Sequence, residues 1–366
     1  MQLALTDSQQ SLKWCHMNTR RIDAMIDTIK NPSCRACLLE EPIDLYYFTG
    51  LSLSAGSLLI APNASALFVD GRYYAIARKC SPLEVHLKEG ENLKNYLKQK
   101  KVDFIAVDSS KMSVDAFEQK KKEFLEIRWV TIPYLTRALR SIKDPEELAK
   151  LRRSAHLTKQ AFIFAKQALK EGVSELEIAW KFESFCREHG ASRMAFEPIV
   201  AFGDHCAFPH HHSTNRKFRH KEGVLFDVGC VIDSYASDMT RTVIPMDAPE
   251  KIQRIGEIVK QAQAAACNLC KPGIKVKELD EAAREVLRKG GLEEYFTHSL
   301  GHGIGLETHE FPRLTSKGME GETVLQEGMV ITIEPGLYLP EIGGARHEDT
   351  VIVTKDGMEN LYQDLR

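Results

Sequence analysis

The sequence predicts an α+β protein in which a smaller α/β domain precedes a larger α+β domain. Strand-like and helical segments alternate over residues 17–143. Beyond residue 143, long helical runs accompany pairs of strand-like runs that have the form of antiparallel hairpins. The length of 366 residues, with 43% hydrophobic and 27% charged residues, is typical of a globular protein of two domains.

The first domain is predicted over residues 17–143, after a weakly ordered lead at residues 1–16. Its alternating elements indicate helices packed against a sheet. Helices are predicted at 19–29, 73–79, 91–101 and 114–124, and strands at 36–40, 57–60, 66–69, 102–107 and 127–132.

A helix start marks the predicted domain boundary near residue 143. Asp144 suits the N-cap, Pro145 the first helical turn, and Glu147 the third helical position of a capping box. The second domain is predicted over residues 144–366 as helices outside antiparallel strands. Its helices are predicted at 144–171, 174–189, 249–270 and 276–289, and glycines follow several of them.

Two aspartates flank the first predicted hairpin. Asp227 lies in the apolar run 224–228, and Asp238 precedes the strand-like run 240–244. A turn centred on Ile232 and Asp233 would place the two aspartates directly opposite each other, with Cβ atoms about 4.5–5.5 Å apart. Two carboxylates this close must share a proton or hold a cation.

A second hairpin repeats the arrangement with two glutamates. Glu334 ends the strand-like run 329–333 and Glu348 precedes the run 350–354, with a turn signal at 340–344 between them. Four carboxylates together with His302, which glycines flank, indicate a metal site that is too anionic for structural zinc. The set suits two bridged divalent cations about 3.5–4 Å apart, and its mixed ligands favour Mn, Fe, Co or Zn over Mg or Ca.

These residues carry a resemblance to the creatinase and methionine aminopeptidase superfamily of pita-bread metallopeptidases. Within it the chain most resembles the proline-specific branch, aminopeptidase P and Xaa-Pro dipeptidase. The resemblance implies a pita-bread catalytic domain preceded by a creatinase-like N-terminal domain. The matching segments are 199–203 with Pro209 and His210, 227–229, 237–242, 298–310, 334–336 and 344–349.

The resemblance also implies a set of metal ligands. Asp227 would bind one metal, Asp238 and Glu348 would bridge both metals, and His302 and Glu334 would complete the second. A bridging hydroxide would be the nucleophile, with Glu334 as the proton shuttle. The implied cofactor is a pair of divalent metal ions, Mn²⁺ first, with Co²⁺ or Zn²⁺ as alternatives.

The resemblance assigns the remaining site residues to the substrate. His210, His298 and His309 would hold it and stabilise the oxyanion, and Arg346 would orient carboxylates or bind substrate. The run of three histidines that begins at His210 departs from the commoner family pattern, so a neighbour of His210 could take its role. His347 alternates with Arg346 and Glu348 along a strand and is expected to face away from the metals.

The preferred function is that of an Xaa-Pro aminopeptidase acting on peptides with proline at the second position, within a homodimer. The alternative is an Xaa-Pro dipeptidase (prolidase), since no motif settles the length of the substrate. Methionine aminopeptidase fits the flanking residues and the long preceding segment less well, and the creatinase-like branch lacks the metal ligands. A non-catalytic binding module is a remote alternative.

Composition excludes several other classes of protein. The net charge of −2 predicts no nucleic-acid partner, and the absence of an apolar run of about 20 residues predicts no membrane span. Nine cysteines, an odd number without a dense framework, and a start without a signal-like segment predict a cytoplasmic protein.

Overall fold

The computed structural model describes residues 20–29 and 35–365. The predicted lead at 1–16 lies outside the described residues. The chain divides into two compact units, one through Leu139 and the other from Arg140 onward. The sequence-based limits at residues 17, 143 and 144 stay predictions. None of the helices within the described ranges combines the length and the apolar character needed to cross a bilayer.

The first unit is built around a six-stranded mixed sheet. Its strand order is β4-β3-β2-β1-β5-β6, with antiparallel pairing of β1, β2 and β3 and parallel pairing elsewhere. The strands are β1 (Cys37–Leu39), β2 (Ser57–Ile60), β3 (Ala66–Val69), β4 (Glu84–Leu87), β5 (Phe104–Asp108) and β6 (Arg128–Ile132). The helices are α1 (20–28), α2 (Pro42–Thr49), α3 (Gly71–Cys80), α4 (Asn92–Gln99), α5 (Val114–Glu123) and, reaching the second unit, α6 (Arg137–Ser141).

Three elements of this region, α2, β4 and α6, were absent from the sequence prediction. Buried positions of α2 include Asp44, Leu45, Tyr47, Phe48 and Thr49, so almost every side of this short helix is covered. A helix buried all round lacks the apolar stripe of period 3.6 that a sequence pattern can detect.

The second unit contains four long helices. They are α7 (Pro145–Gln167), α8 (Glu175–Glu188), α9 (Glu250–Leu269) and α10 (Val276–Lys289). The predicted start of α7 is confirmed, because the Asp144 side chain accepts hydrogen bonds from the backbone N–H groups of Glu146 and Glu147, and Asp144 N–H donates to the Glu147 carboxylate. The helix ends at Gln167, earlier than the predicted residue 171.

The strands of this unit pair in antiparallel fashion throughout. One three-stranded sheet has the order β12-β9-β8, another has the order β11-β10-β7, a five-stranded sheet has the order β14-β13-β15-β18-β19, and β16 pairs with β17. The strands are β7 (Arg193–Met194), β8 (Ile199–Phe202), β9 (Val224–Val228), β10 (Cys230–Ile232), β11 (Tyr235–Ala236), β12 (Met239–Val243), β13 (Gly301–Gly303), β14 (Glu310–Leu314), β15 (Val330–Ile333), β16 (Gly336–Leu339), β17 (Gly343–Arg346), β18 (Asp349–Thr354) and β19 (Gly357–Asn360). These antiparallel sheets and outer helices form the α+β pita-bread fold.

Two hydrophobic cores support the two hairpins. Helices α7 and α8 bury side chains such as Phe162 and Phe182 against Phe226 of β9. Helices α9 and α10 bury side chains such as Leu279 against Ile331 of β15 and its neighbours. Each hairpin therefore packs against its own pair of helices. The polar side chains at the ends of its strands do not belong to these two cores.

The first hairpin has a register different from the predicted one. Asp233 and Ser234, both with positive φ, form its turn, and Ile232 pairs with Tyr235. Thr240 consequently lies opposite Asp227, so the predicted direct pairing of Asp227 with Asp238 is wrong. A shift of two residues preserves the face on which side chains lie. The two aspartates become diagonal neighbours instead of direct ones.

The second hairpin has the predicted register. Ile333 pairs with Asp349 at the end of one ladder, and Gly336 pairs with Arg346 at the start of the next. Glu334 and Glu348 therefore oppose each other between the two ladders.

Candidate metal centre and active site

The nine predicted site residues lie around one cavity of about 650 Å³ in the second unit. Elements far apart in the chain supply them, because the two hairpins and strand β13 meet at this cavity. The nine residues are His210, Asp227, Asp238, His298, His302, His309, Glu334, Arg346 and Glu348.

Glycines allow the backbone around the cavity to approach closely. A Cβ atom on Gly301 would lie 2.1 Å from the carbonyl oxygen of Thr332, and one on Gly303 would lie 2.3 Å from that of Phe311. No side chain fits at either position. The glycines on both sides of His302 therefore let β13 lie tightly between its neighbours and direct the imidazole into the cavity.

Asp238, His302 and Glu348 offer ligand atoms that all lie within 4.8 Å of one another. His302 Nε2 lies 3.3 Å from Glu334 Oε1 and 3.7 Å from Asp238 Oδ2. Asp238 Oδ1 and Glu348 Oε1 are buried and have no hydrogen-bond partner among the described residues. Buried carboxylate oxygens without donors are costly, and a divalent cation would satisfy them, so the residues fit a metal centre.

The carboxylates also repel one another. Burial and the nearby Glu348 carboxylate raise the pKa values of Asp238 and Glu334 well above their ordinary range. Burial and Asp227 raise the pKa of Glu348 to about 8. Such shifts arise where like charges share a site of low dielectric constant, and bound cations would remove the repulsion.

Arg346 balances part of this negative charge. Its Nη2 donates to Asp227 Oδ2 at 2.5 Å, and its Nη1 donates to the hydroxyl of Tyr338 at 2.7 Å. The Tyr338 hydroxyl also lies 2.8 Å from His298 Nε2. Tyr338, which sequence reasoning missed, thus joins a site histidine to the site arginine. The only signal for it was its place on a strand two residues from Gly336.

Burial lowers the pKa values of three histidines of the cavity. Burial and the charge of Arg346 lower the pKa of His298 to about 4. Burial and the proximity of His309 lower that of His302 to about 3, and burial lowers the pKa of His309. The rings of His302 and His309 meet edge to face with centroids 4.3 Å apart. A neutral imidazole can be a metal ligand or a hydrogen-bond donor.

The three consecutive histidines, 210–212, have different surroundings. His211 Nε2 lies 2.9 Å from the buried carboxylate of Glu175, and His212 contacts the exposed Glu197. His210 has no hydrogen-bond partner in the described part of the chain and faces the cavity. This arrangement supports His210 over its neighbours for the substrate role.

His347 faces away from the metal ligands, as the strand alternation predicts. It lines a different cavity, of about 800 Å³, together with Arg241. Its neighbours Arg346 and Glu348 line the candidate site.

Arg313 and Glu310 also line the cavity, and the sequence analysis assigned neither a role. Arg313 pairs across the ladder with His302 and is exposed. Alternation from His309 would place Arg313 on the cavity face and Glu310 on the opposite face, so it could have indicated only Arg313.

Comparison with known proteins identifies both parts of the chain. Residues 149–355 match the sequence model of metallopeptidase family M24, and residues 21–142 match that of the creatinase/prolidase N-terminal domain. The Xaa-Pro dipeptidase of Pyrococcus furiosus is 36% identical over 350 residues, which cover 94% of this chain and 98% of the relative.

Solved structures are similar over nearly the whole chain. The Xaa-Pro dipeptidase of Bacillus anthracis has a TM-score of 0.90 at 30% identity, with coverage of 94% of this chain and 97% of that one. The X-Pro aminopeptidase of Thermotoga maritima has a TM-score of 0.85 at 31% identity, with coverage of 93% and 97%.

Proposed function

This chain belongs to metallopeptidase family M24, in its proline-specific pita-bread branch, and on that premise we propose that it is an Xaa-Pro dipeptidase (prolidase). The observation that carries the proposal is the cavity in which buried carboxylates without donors lie beside neutral histidines. The sequence by itself favours the aminopeptidase. The similar proteins favour the dipeptidase, because most of those with a named activity are dipeptidases or prolidases.

Asp227, Asp238, His302, Glu334 and Glu348 would hold two divalent cations, for which we propose Mn²⁺, with Co²⁺ and Zn²⁺ as alternatives. The fit rests on the two oxygen atoms of Asp238 and Glu348 that lack donors. Bound cations would polarise the substrate carbonyl and make a water nucleophilic at neutral pH.

Side chains of the protein would transfer the proton and stabilise the negative charge that develops on the substrate. Glu334 lines the cavity, where it would accept the proton of the attacking water and return it to the proline nitrogen as the C–N bond breaks. His309 makes no hydrogen bond with the described residues and faces the same space. Its N–H group can donate to the carbonyl oxygen as negative charge develops there, and His210 can position the substrate.

Arg313 supports a dipeptide as the substrate. Its side chain is exposed at the wall of the cavity, opposite His302, and forms no ion pair with the described residues. A free guanidinium suits the terminal carboxylate of a proline. In a longer peptide the corresponding group is a neutral amide, which binds an arginine less strongly.

An aminopeptidase that releases the residue before proline from longer peptides is the second candidate. The similarity to the Thermotoga maritima X-Pro aminopeptidase favours it. Both candidates require the same chemistry and differ only in what the protein accepts beyond the proline.

The test compares the dipeptide Ala-Pro with the tripeptide Ala-Pro-Gly, with Mn²⁺, Co²⁺ and Zn²⁺ in turn. We expect the dipeptide to have the higher kcat/KM. Arg313→Met should raise KM for Ala-Pro about tenfold or more, because it removes a charge-assisted hydrogen bond. Arg152→Met, which removes an exposed arginine paired with Glu359, is the matched control. Equal or better cleavage of the tripeptide would select the aminopeptidase.

We also propose a homodimer in the cytoplasm, as the sequence analysis predicts. Sedimentation of the purified protein and fractionation of cells that produce it test these two points.

A further inference from the structure

Four charged side chains, three of them buried, form a network next to the catalytic cavity. Arg140 Nη2 donates to Glu307 Oε2 at 2.7 Å and to Glu310 Oε1, and Lys143 Nζ lies 3.1 Å from Glu310 Oε2. The Lys143 side chain is 1% exposed and the Glu310 side chain 5% exposed. We call these four residues the Arg140 network.

The two acids of the network lie on either side of His309 in the sequence. Glu310 follows His309 directly and lines the cavity, and Glu307 N–H donates to Glu310 Oε1 at 3.1 Å. A Cβ atom on Gly305 would lie 2.7 Å from Glu310 Oε2, so only glycine leaves room for this carboxylate. The segment that carries His309 is therefore shaped around Glu310.

Charge holds Glu310 in place. Burial alone raises the pKa of Glu310, but the charges of Lys143 and Arg140 outweigh burial and hold that pKa below its ordinary value. Two cations thus face two carboxylates, of which Glu310 is almost completely buried. Loss of one cation would leave a buried negative charge without compensation, and the segment would have to move to rehydrate it.

The segment that carries Lys143 pairs with the backbone just before strand β15, and the predicted metal ligand Glu334 follows that strand. Lys143 N–H donates to the carbonyl of Gly328 at 2.9 Å, and Ile142 forms a bridge with Met329. Strand β15 begins one residue later, and Glu334 follows its end. The network therefore connects the His309 segment to the backbone that places Glu334.

We infer that Arg140 and Lys143 are positioning residues that act through Glu310 to hold His309 at the oxyanion position. The inference rests on the proposed function, because it concerns the geometry of the same reaction. A displacement of a catalytic group by about 1 Å costs on the order of 100-fold in rate. The network also keeps Glu310, a carboxylate in the cavity wall, paired with cations of the protein.

The test is a mutant cycle between Arg140 and His309 in the metal-loaded protein. Arg140→Met should lower kcat for Ala-Pro about ten- to 100-fold, with metal content, determined by mass spectrometry, unchanged. Arg140→Lys, which keeps the charge, should restore part of the activity. In the His309→Ala background, Arg140→Met should change kcat by less than about twofold, because the group that it positions is gone.

Glu307→Gln is the milder second variant, since the Glu307 side chain is 31% exposed and its loss threatens folding less. It should lower kcat in the same direction, and this effect should also disappear in the His309→Ala background. Arg152→Met serves again as the control with unchanged activity.

Two results would overturn the inference while leaving the proposed function intact. One is full activity of Arg140→Met, and the other is an undiminished effect of Arg140→Met in the His309→Ala protein, which would show that Arg140 does not act through His309. Unchanged kcat of His309→Ala by itself would instead remove His309 from the proposed mechanism, and the inference with it.

Discussion

Glu348 and Asp349 are neighbours in the chain and equally buried, yet their surroundings are opposite. Glu348 faces the catalytic cavity, where burial and Asp227 raise its pKa to about 8. Asp349 faces the other side of the strand. Burial also raises the pKa of Asp349, but Arg241, His347 and Asn360 together outweigh burial, and the pKa is lower than usual.

The difference lies in what each carboxylate contacts. Asp349 accepts hydrogen bonds from Arg241 Nη2 at 2.6 Å, from Gln263 at 2.8 Å and from Asn360 at 2.7 Å. Glu348 accepts one from Thr240 at 2.6 Å, and its second oxygen has no donor among the described residues. A buried carboxylate with a complete set of donors belongs to the scaffold. One that lacks donors, beside another such carboxylate, must take up a proton or bind a cation from outside the chain.

The largest effect is expected at the buried carboxylates that lack hydrogen-bond donors, Asp238 and Glu348. Asp238→Asn should abolish metal binding and lower activity more than about 100-fold, because it removes a proposed bridging ligand. The metal-free variant should be at least as stable as the metal-free parent, since one repelling charge is gone. Metal content, activity and urea unfolding measure the three outcomes. Full activity would refute the ligand role.

Asp349→Asn tests the carboxylate that has a complete set of hydrogen-bond donors. It should cost about 3–5 kcal/mol in the free energy of unfolding, because it leaves the Arg241 charge buried without its partner. Metal content should remain, since Asp349 does not line the site. Urea unfolding of the metal-loaded protein provides the measurement. A variant as stable as its parent would mean that the ion pair and hydrogen bonds of Asp349 do not stabilise the fold.

The smallest expected effect is a pH dependence of the metal-free protein. The pKa of Glu348 rises from 4.5 to about 8 on folding, so the folded form binds more protons between these values. This contribution to stability is complete below pH 4.5 and is lost as the pH rises through about 8. Urea midpoints measured with a chelator should fall across this range, and bound metal should flatten the trend. A flat profile without metal would contradict the repulsion.

Local patterns were sufficient to predict much of this molecule. The bounds of β2, β3 and α10 agree with the prediction, and the capping box at Asp144 marked the start of α7. Each of these features depends on residues close together in the chain. The second hairpin was also predictable in register, because its turn signal is unambiguous.

The register of the first hairpin was not predictable from the same reasoning. The prediction centred the turn on Ile232 and Asp233, whereas the structure places it at Asp233 and Ser234, where both residues have positive φ. Either position is compatible with the local pattern. A shift of two residues keeps the same side chains on each face of the strands, so the apolar pattern cannot distinguish the two positions.

By itself, the sequence determined which chemistry this protein can hold. Four carboxylates and a histidine flanked by glycines predict a metal site because this combination of residue types suits divalent cations. Only the tertiary structure decided which charged side chains balance one another. The partners of Asp227, Glu310 and Asp349 are arginines and lysines more than 100 residues away in the chain. Pairing at that distance leaves no periodic trace in the sequence, because it is fixed by the packing of whole elements and not by local spacing.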